Sequence, residues 1–381
     1  SISRLAYLKA RDIWLDLSLP TDKQVQELAA FTEARSSRLV GLSISGPAVT
    51  DAGLRTVSKP KALSSLSLSH TAITDEGLRV ISKLYALRAL ALEENPLLTG
   101  KALGQLSSLQ NLNTLFISGS ALPNADFSFL KQLRELKVLE LTSIGSPGKG
   151  KAIGESLFKA LTALRKLKAL GLEYNDFVTD AFVEKISALP ELTHLSLSGT
   201  NVTDRCLDYI CRKPGFVYLN LTADGVTGCI LSKLENWPQL EILSAFVNCE
   251  LEPAVTKEGR LPKLKVLSLS GTLSGMHLKA IGLMRSLEEL DLGYTTIGDH
   301  DLAFLSHLSN LKALNLACSS VTDKGILHFV GMKKLESLIL SNTKVGDQGV
   351  KALSSLKNCL LYTSDAADEG LGVDLGGRRI I

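Results

Sequence analysis

The chain has 381 residues, of which 45% are hydrophobic, 21% charged and 5% aromatic, and its formal net charge is +3. No run of eighteen apolar residues interrupts it, so no segment reads as a membrane-spanning helix, and so small a net charge gives no argument for a nucleic-acid or membrane partner. The six cysteines include no C-x-x-C pair, which speaks against a zinc ribbon or a small disulfide framework; Cys206, Cys211, Cys229, Cys249 and Cys318 are expected to serve as buried apolar thiols.

The chain opens at Ser1 without a recognisable leader, so it is expected to be a processed chain or a fragment. Ile13-Trp14-Leu15-Asp16-Leu17 predicts a strand, and Thr21-Asp22 followed by Val25, Leu28 and Phe31 predicts a helix. Residues 1–38 are therefore expected to form an irregular first repeat or cap. From there to residue 358 one pattern recurs. Its first leucine falls at Leu39, Leu63, Leu87, Leu112, Leu136, Leu167, Leu192, Phe216 (in place of leucine), Leu240, Leu264, Leu287, Leu311 and Leu335, in steps of 23 to 25 residues except for one step of 31. So constant a period identifies a repeat array.

Leu63 to Ala86 shows the logic of one unit. Leu66 and Leu68 alternate as the inward residues of a short strand, Ile73 drops back inward after a turn, and Leu78, Ile81 and Leu84 line the inner face of a short helix. One such unit buries too little to fold alone, so stability must accrue between stacked neighbours. Because each strand returns through a helix to the next, the sheet is expected to be parallel with right-handed crossovers. Five residues past the second leucine a polar column recurs, including Thr71, Asn95, Asn175, Thr200, Thr295, Ser319 and Thr343; it is expected to satisfy amides where the chain leaves the sheet. Asp75, Asp204, Asp299, Asp323 and Asp347 recur at one position and are expected to cap the helices.

Two units depart from the pattern. Leu136 to Lys166 carries about seven extra residues centred on 145–151, and Gly145-x-x-x-x-Gly150-Lys151 matches the phosphate-loop spacing. Ala152 stands where that loop needs Ser or Thr, and Pro147 cannot donate an amide, so nucleotide binding is not expected. Lys149, Gly150 and Lys151 are kept as a weak anion-binding candidate at a helix start. Residues 248–263 contain Pro253 and Gly259 but no helical period.

The motif T-x-[IV]-[TG]-D-x-G-[LIV], at Thr71 to Leu78, Thr343 to Val350 and, with Asp301 for glycine, Thr295 to Leu302, resembles the leucine-rich repeat family across 39–358. The resemblance implies an α/β fold: a right-handed leucine-rich-repeat solenoid, or horseshoe, with a parallel concave β-sheet and short convex helices. The subtype is similar to bacterial repeat proteins and to the repeat regions of eukaryotic F-box proteins. The latter likeness would imply a substrate-recognition adaptor subunit of a ubiquitin ligase.

In such an array the residues beside the strand leucines face the open side. Across the thirteen units these positions contain no Lys or Arg, which argues against phosphate binding and hence against nucleic acid. The large side chains there are Glu93, Glu94, Phe116, Glu140, Glu173, Tyr174, His194, Tyr218, Phe246 and Tyr294, with Glu289 and Asp291 adding acidity. Aromatics set among small residues are the usual anchors of protein interfaces. These ten residues are the candidate partner-binding set, and the expected function is a non-enzymatic, monomeric module that presents an acidic and aromatic surface to a protein or peptide. The six histidines show no metal-ligand spacing and no nucleophile elbow occurs, so no cofactor, metal or catalytic residue is expected. A further reading is the binding region of an enzyme whose catalytic domain lies outside this chain.

From Cys359 the leucine spacing is expected to end. Cys-Leu-Leu-Tyr-Thr-Ser-Asp-Ala-Ala-Asp-Glu, and Gly-Val-Asp-Leu-Gly-Gly-Arg-Arg-Ile-Ile at 372–381, resemble the two ends of a translated transposase-type sequencing adapter. Residues 359–381 are thus expected to be non-native. Without their four acids and two arginines the chain carries +5, and at least one more repeat is expected beyond Asn358 in the natural protein.

Overall fold

A computed structural model describes residues 12–34, 38–57, 62–119, 122, 125–145, 150–227, 230–248, 261–363, 372–374 and 379–380. They pack as two compact units, one of Ser1–Leu192 with Gly199–Asn201 and one of Thr193–Ser198 with Val202–Ile381.

The first unit is built on strands β1 (Asp12–Ser18), β2 (Arg38–Ser45), β3 (Ser65–Ser69), β4 (Ala89–Glu93), β5 (Thr114–Ser118), β6 (Val138–Thr142) and β7 (Ala169–Gly171). Each runs parallel to its successor. Between them stand α1 (Asp22–Ala34), α2 (Asp51–Val57), α3 (Asp75–Ile81), the 3-10 turns Leu103–Ser108 and Phe127–Gln132, and α4 (Gly150–Leu161), with α5 (Asp180–Ile186) after β7. The second unit repeats the plan with β8 (His194–Ser196), β9 (Tyr218–Leu221), β10 (Ile242–Asn248), β11 (Val266–Thr272), β12 (Glu289–Asp291), β13 (Ala313–Asn315), β14 (Ser337–Ile339) and β15 (Leu360–Tyr362). Its helices are α6 (Cys206–Ile210), α7 (Ile230–Lys233), α8 (Gly275–Ile281), α9 (Asp299–Leu302), α10 (Asp323–Ile326) and α11 (Asp347–Ala352).

The leucines act as the period demands. Leu66, Leu68, Ile73 and Leu78 are all buried, while Ser65, Ser67 and Ser69 alternate outward between them. Of the polar column, Thr71, Asn95, Asn175, Thr200, Thr295 and Ser319 are buried too while Thr343 is half-buried, and the asparagines are satisfied across repeats. Asn95 Oδ1 accepts from Thr71 N at 3.0 Å and Thr71 Oγ1 at 2.5 Å, and its Nδ2 donates to Leu68 O. Asn175 does the same for Ile144 N at 3.1 Å and Leu141 O at 2.7 Å. Thr295 and Ser319 instead donate to the carbonyl three residues back.

The recurrent aspartates have a different task from the one their position suggested. At several helices the side-chain cap is the threonine instead: Thr74 Oγ1 accepts from Glu76 N, and Thr322 Oγ1 from Lys324 N. Several aspartates reach forward to the next repeat. Asp22 holds Thr50, Asp51 holds Thr74, Asp75 holds Thr99, Asp204 holds Thr227 and Asp299 holds Thr322, each through both the backbone N–H and the hydroxyl. At four repeats the carboxylate also crowds the motif glycine, although Ala102 and Ile230 take that place past the stapled Thr99 and Thr227. A Cβ on Gly53, Gly77, Gly325 or Gly349 would stand 2.5 to 2.6 Å from the carboxylate of the preceding repeat's aspartate. Where that aspartate is missing, the glycine is replaced. Gly275 holds the aspartate position before Asp301, and Asp301 Oδ2 accepts from Gly298 N, the amide the missing carboxylate would have held.

At the C-terminal end the repeat's strand pairing continues past the point where the leucine spacing was expected to end. Leu361 pairs with Leu338 and is buried, as is Cys359. The step from Leu338 is one residue shorter than the preceding period, which hid this strand from a fixed count of 24.

Candidate functional site

Parallel pairing in register aligns the outward residues of successive strands into rows. In the first unit one row runs Ser43, Ser67, Ala91, Phe116, Glu140 and Gly171, and the next runs Ser45, Ser69, Glu93, Ser118 and Thr142. Phe116 therefore lies half-buried between Ala91 and Glu140. Burial, reinforced by the like charges of Glu173 and Glu93, pushes the Glu140 carboxyl above the ordinary glutamate value. Three of the expected acids thus share one electrostatic environment. Gly171 leaves the space into which Glu140 leans, since a Cβ there would lie 3.0 Å from Glu140 Cγ.

Glu94 and Tyr174 occupy a second kind of position. Both have left-handed backbone conformations, with φ of 48° and 55°, as do Leu19, His70 and Ser143 in the same unit; Gly46, Gly119 and Gly199 fill other places with positive φ. Tyr174 is 61% exposed, and its ring lies along Gly199, where a Cβ would meet Cδ1 at 2.5 Å. Glu94 Oε2 accepts from His70 Nε2 at 2.8 Å, and His70 Nδ1 is paired with the Ser69 hydroxyl. Six of the ten expected residues, Glu93, Glu94, Phe116, Glu140, Glu173 and Tyr174, accordingly lie on this unit.

The other four lie on the second unit. The His194 ring stacks on Tyr218, with centroids 6.2 Å apart and planes 15° from parallel. Burial holds His194 below the usual histidine value against the opposing pull of Glu241. Their row continues through Ile242, Val266 and Glu289. Phe246 pairs with Ser270, and its ring lies over Gly271. Tyr294 is 74% exposed with φ of 59°.

One aromatic was missed by treating 1–38 as a cap. Trp14 is 68% exposed, pairs in register with Gly41, and its ring covers that glycine. The alternation of Leu15 and Leu17 around Asp16 was the signal that would have placed it on the open face. Of the anion-binding candidates, Lys149 lies outside the described residues, and Gly150 and Lys151 begin α4. Cys229 and Cys249 also lie outside; of the thiols expected to be buried, Cys206 is, whereas Cys211 and Cys318 are only half-buried. Among the described residues no group of three or more His, Cys, Asp or Glu side chains could hold a metal ion, and no helix is long and apolar enough to cross a membrane.

Two solved structures share the fold. An internalin of Listeria monocytogenes superposes with a TM-score of 0.56 at 19% identity, covering 91% of this chain and 95% of its own. A leucine-rich-repeat protein of Leptospira interrogans gives 0.54 at 20% identity, covering 95% and 93%. Among curated proteins, adenylate cyclase of Schizosaccharomyces pombe is 28% identical over 216 residues, 55% of this chain. A putative adenylate cyclase regulatory protein of Trypanosoma equiperdum is 32% identical over 166 residues, 43% of this chain. The matched stretches span only 12% and 22% of those two proteins. The family model described as a leucine-rich repeat region matches residues 55–320, and a second, described as a leucine-rich repeat, matches 331–354. With a match over most of its length, the chain belongs to the leucine-rich repeat family.

Proposed function

We propose that this chain is a non-enzymatic binding module whose open sheet face receives a protein or peptide segment bearing cationic and apolar side chains. The leucine-rich-repeat fold suits protein binding, because a rigid, preformed surface lowers the ordering cost of association. The observation that carries the reading is the surroundings of Phe116: an aromatic ring on the sheet, beside a Glu140 whose carboxyl feels both Glu173 and Glu93. A guanidinium or ammonium group placed there would stack on the ring and relieve the crowding of negative charge. Calorimetric titration with a peptide alternating arginine and leucine, and with its glutamate-for-arginine counterpart, tests this. Binding of the first and not the second is expected; equal binding of both, or of neither, overturns it.

The two cyclase-related proteins favour a second reading, in which these repeats are the binding region of a larger enzyme or of its regulator. An adaptor subunit of the F-box kind is the corresponding alternative. Reading the complete gene discriminates them: a catalytic domain, an F-box helical domain, or neither, would flank the repeats.

A further inference from the structure

His277 occupies the motif-glycine place of its repeat, and the counterpart of the stapling aspartate in the preceding repeat falls outside the described residues. Its imidazole is 1% exposed. Nδ1 lies 2.9 Å from Ser274 N and 2.8 Å from Ser274 Oγ, whereas Nε2 is buried without a hydrogen-bond partner. Because Ser274 N–H donates to it, Nδ1 must keep its lone pair, which fixes a neutral ring with the proton on Nε2. The ring thereby does for the start of α8 what the forward-reaching aspartates do elsewhere.

A second proton would go to Nδ1. That step abolishes the acceptor for Ser274 N and leaves a cation in an apolar interior. The titratable groups on the described elements packed against α8 are Asp299, His300 and Asp301 of α9 and His307 of the 3-10 turn that follows; α8 itself adds Lys279, and β11 adds none. Asp301 is committed to Gly298 N. Burial alone, with no charged group contributing, holds His277 below the ordinary histidine value.

We propose that His277 is an acid-sensitive latch: when Nδ1 takes up a proton the imidazole leaves its site, the amide of Ser274 is released, and the start of α8 opens while the aspartate-stapled start of α10 stays closed. A histidine depressed in the folded state stabilises fully above its unfolded value of about 6.5, and that stabilisation is lost as pH falls below it towards the folded value. The latch is therefore closed at neutral pH and opens on acidification.

Hydrogen exchange of the full chain between about pH 7.5 and pH 5, corrected for intrinsic rates, reads this directly by comparing α8 with α10, which is stapled by Asp299. Protection of α8 should fall by up to about tenfold per pH unit between about 6.5 and the folded histidine value, and level off below it, while α10 holds. His277→Gln, whose amide oxygen can still accept from Ser274 N but does not titrate, should flatten the α8 profile. Parallel loss in α8 and α10, or an unchanged α8 profile in His277→Gln, would overturn the latch. Should His277→Gln not fold, an NMR titration of the wild-type ring decides: a value below about 6.5 with α8 amide signals lost in step supports the proposal, and a value at or above it refutes it.

Discussion

Thr322 hangs from Asp299 of the preceding repeat by two bonds, its amide 2.8 Å from Oδ1 and its hydroxyl 2.7 Å from Oδ2. Burial would raise the Asp299 carboxyl, but the bonds from Thr322 and from the Gly325 amide outweigh it and leave it below the ordinary value. Asp299→Ala should lower unfolding stability by about 2 kcal/mol, the scale for losing charge-assisted bonds to groups left half-buried. Since the folded value is depressed, this contribution is present above the unfolded aspartate value near 3.9 and is lost as pH falls through the folded one. Urea denaturation of wild type and variant across acidic pH checks both size and sign.

Gly325 should be intolerant of a methyl group for the same reason. Its Cβ would lie 2.5 Å from Asp299 Oδ1 and 2.9 Å from Leu302 Cδ1. Gly325→Ala is expected to cost about 1 to 3 kcal/mol. In the Asp299→Ala background it should cost less, so a double-mutant cycle will show a coupling of at least about 0.5 kcal/mol. Strict additivity would mean that the glycine answers to something other than the carboxylate.

These two residues also show where the sequence was legible. Period, strand alternation and helix phase follow from the spacing of leucines, since each inward position is set by local geometry. The polar column was readable as structural because only buried amides explain small polar residues at that place. The aspartate's partner was not, because it lies a whole repeat away, and a Thr-Asp pair at a helix start looks the same whether it caps its own helix or holds the next. On the open face the register of rows was legible, and so were the ten large side chains. Left-handed φ at Glu94, Tyr174 and Tyr294 was hidden because glycine shares that kind of position only at some repeats.

Ser143, with φ of 52°, offers a test of that backbone column. A non-glycine residue in the left-handed region costs on the order of 1 kcal/mol, and a β-branched one more. Ser143→Gly should leave stability unchanged or raise it by up to about 1 kcal/mol, and Ser143→Val should lower it. Thermal melts of the pair should bracket wild type; a valine variant as stable as the glycine one would contradict the assignment.

Binding of a cationic peptide should weaken on acidification earlier than ordinary glutamates would require. Glu140 is raised above the usual value by burial and by Glu173 and Glu93, so it becomes neutral first as pH falls and withdraws one partner charge. Glu140→Gln should flatten this early phase in a pH series of calorimetric titrations.

Attachment on the helix side would leave the same bulk affinity but a different footprint, so the decisive measurement is hydrogen exchange with and without the arginine–leucine peptide, in wild type and in Phe116→Ala/Tyr174→Ala. If the sheet face is the binding surface, protection gathers on β4, β5 and β6, and the double variant loses about tenfold in affinity, roughly 1.4 kcal/mol. Protection confined to the helices, or undiminished affinity in the double variant, would contradict it.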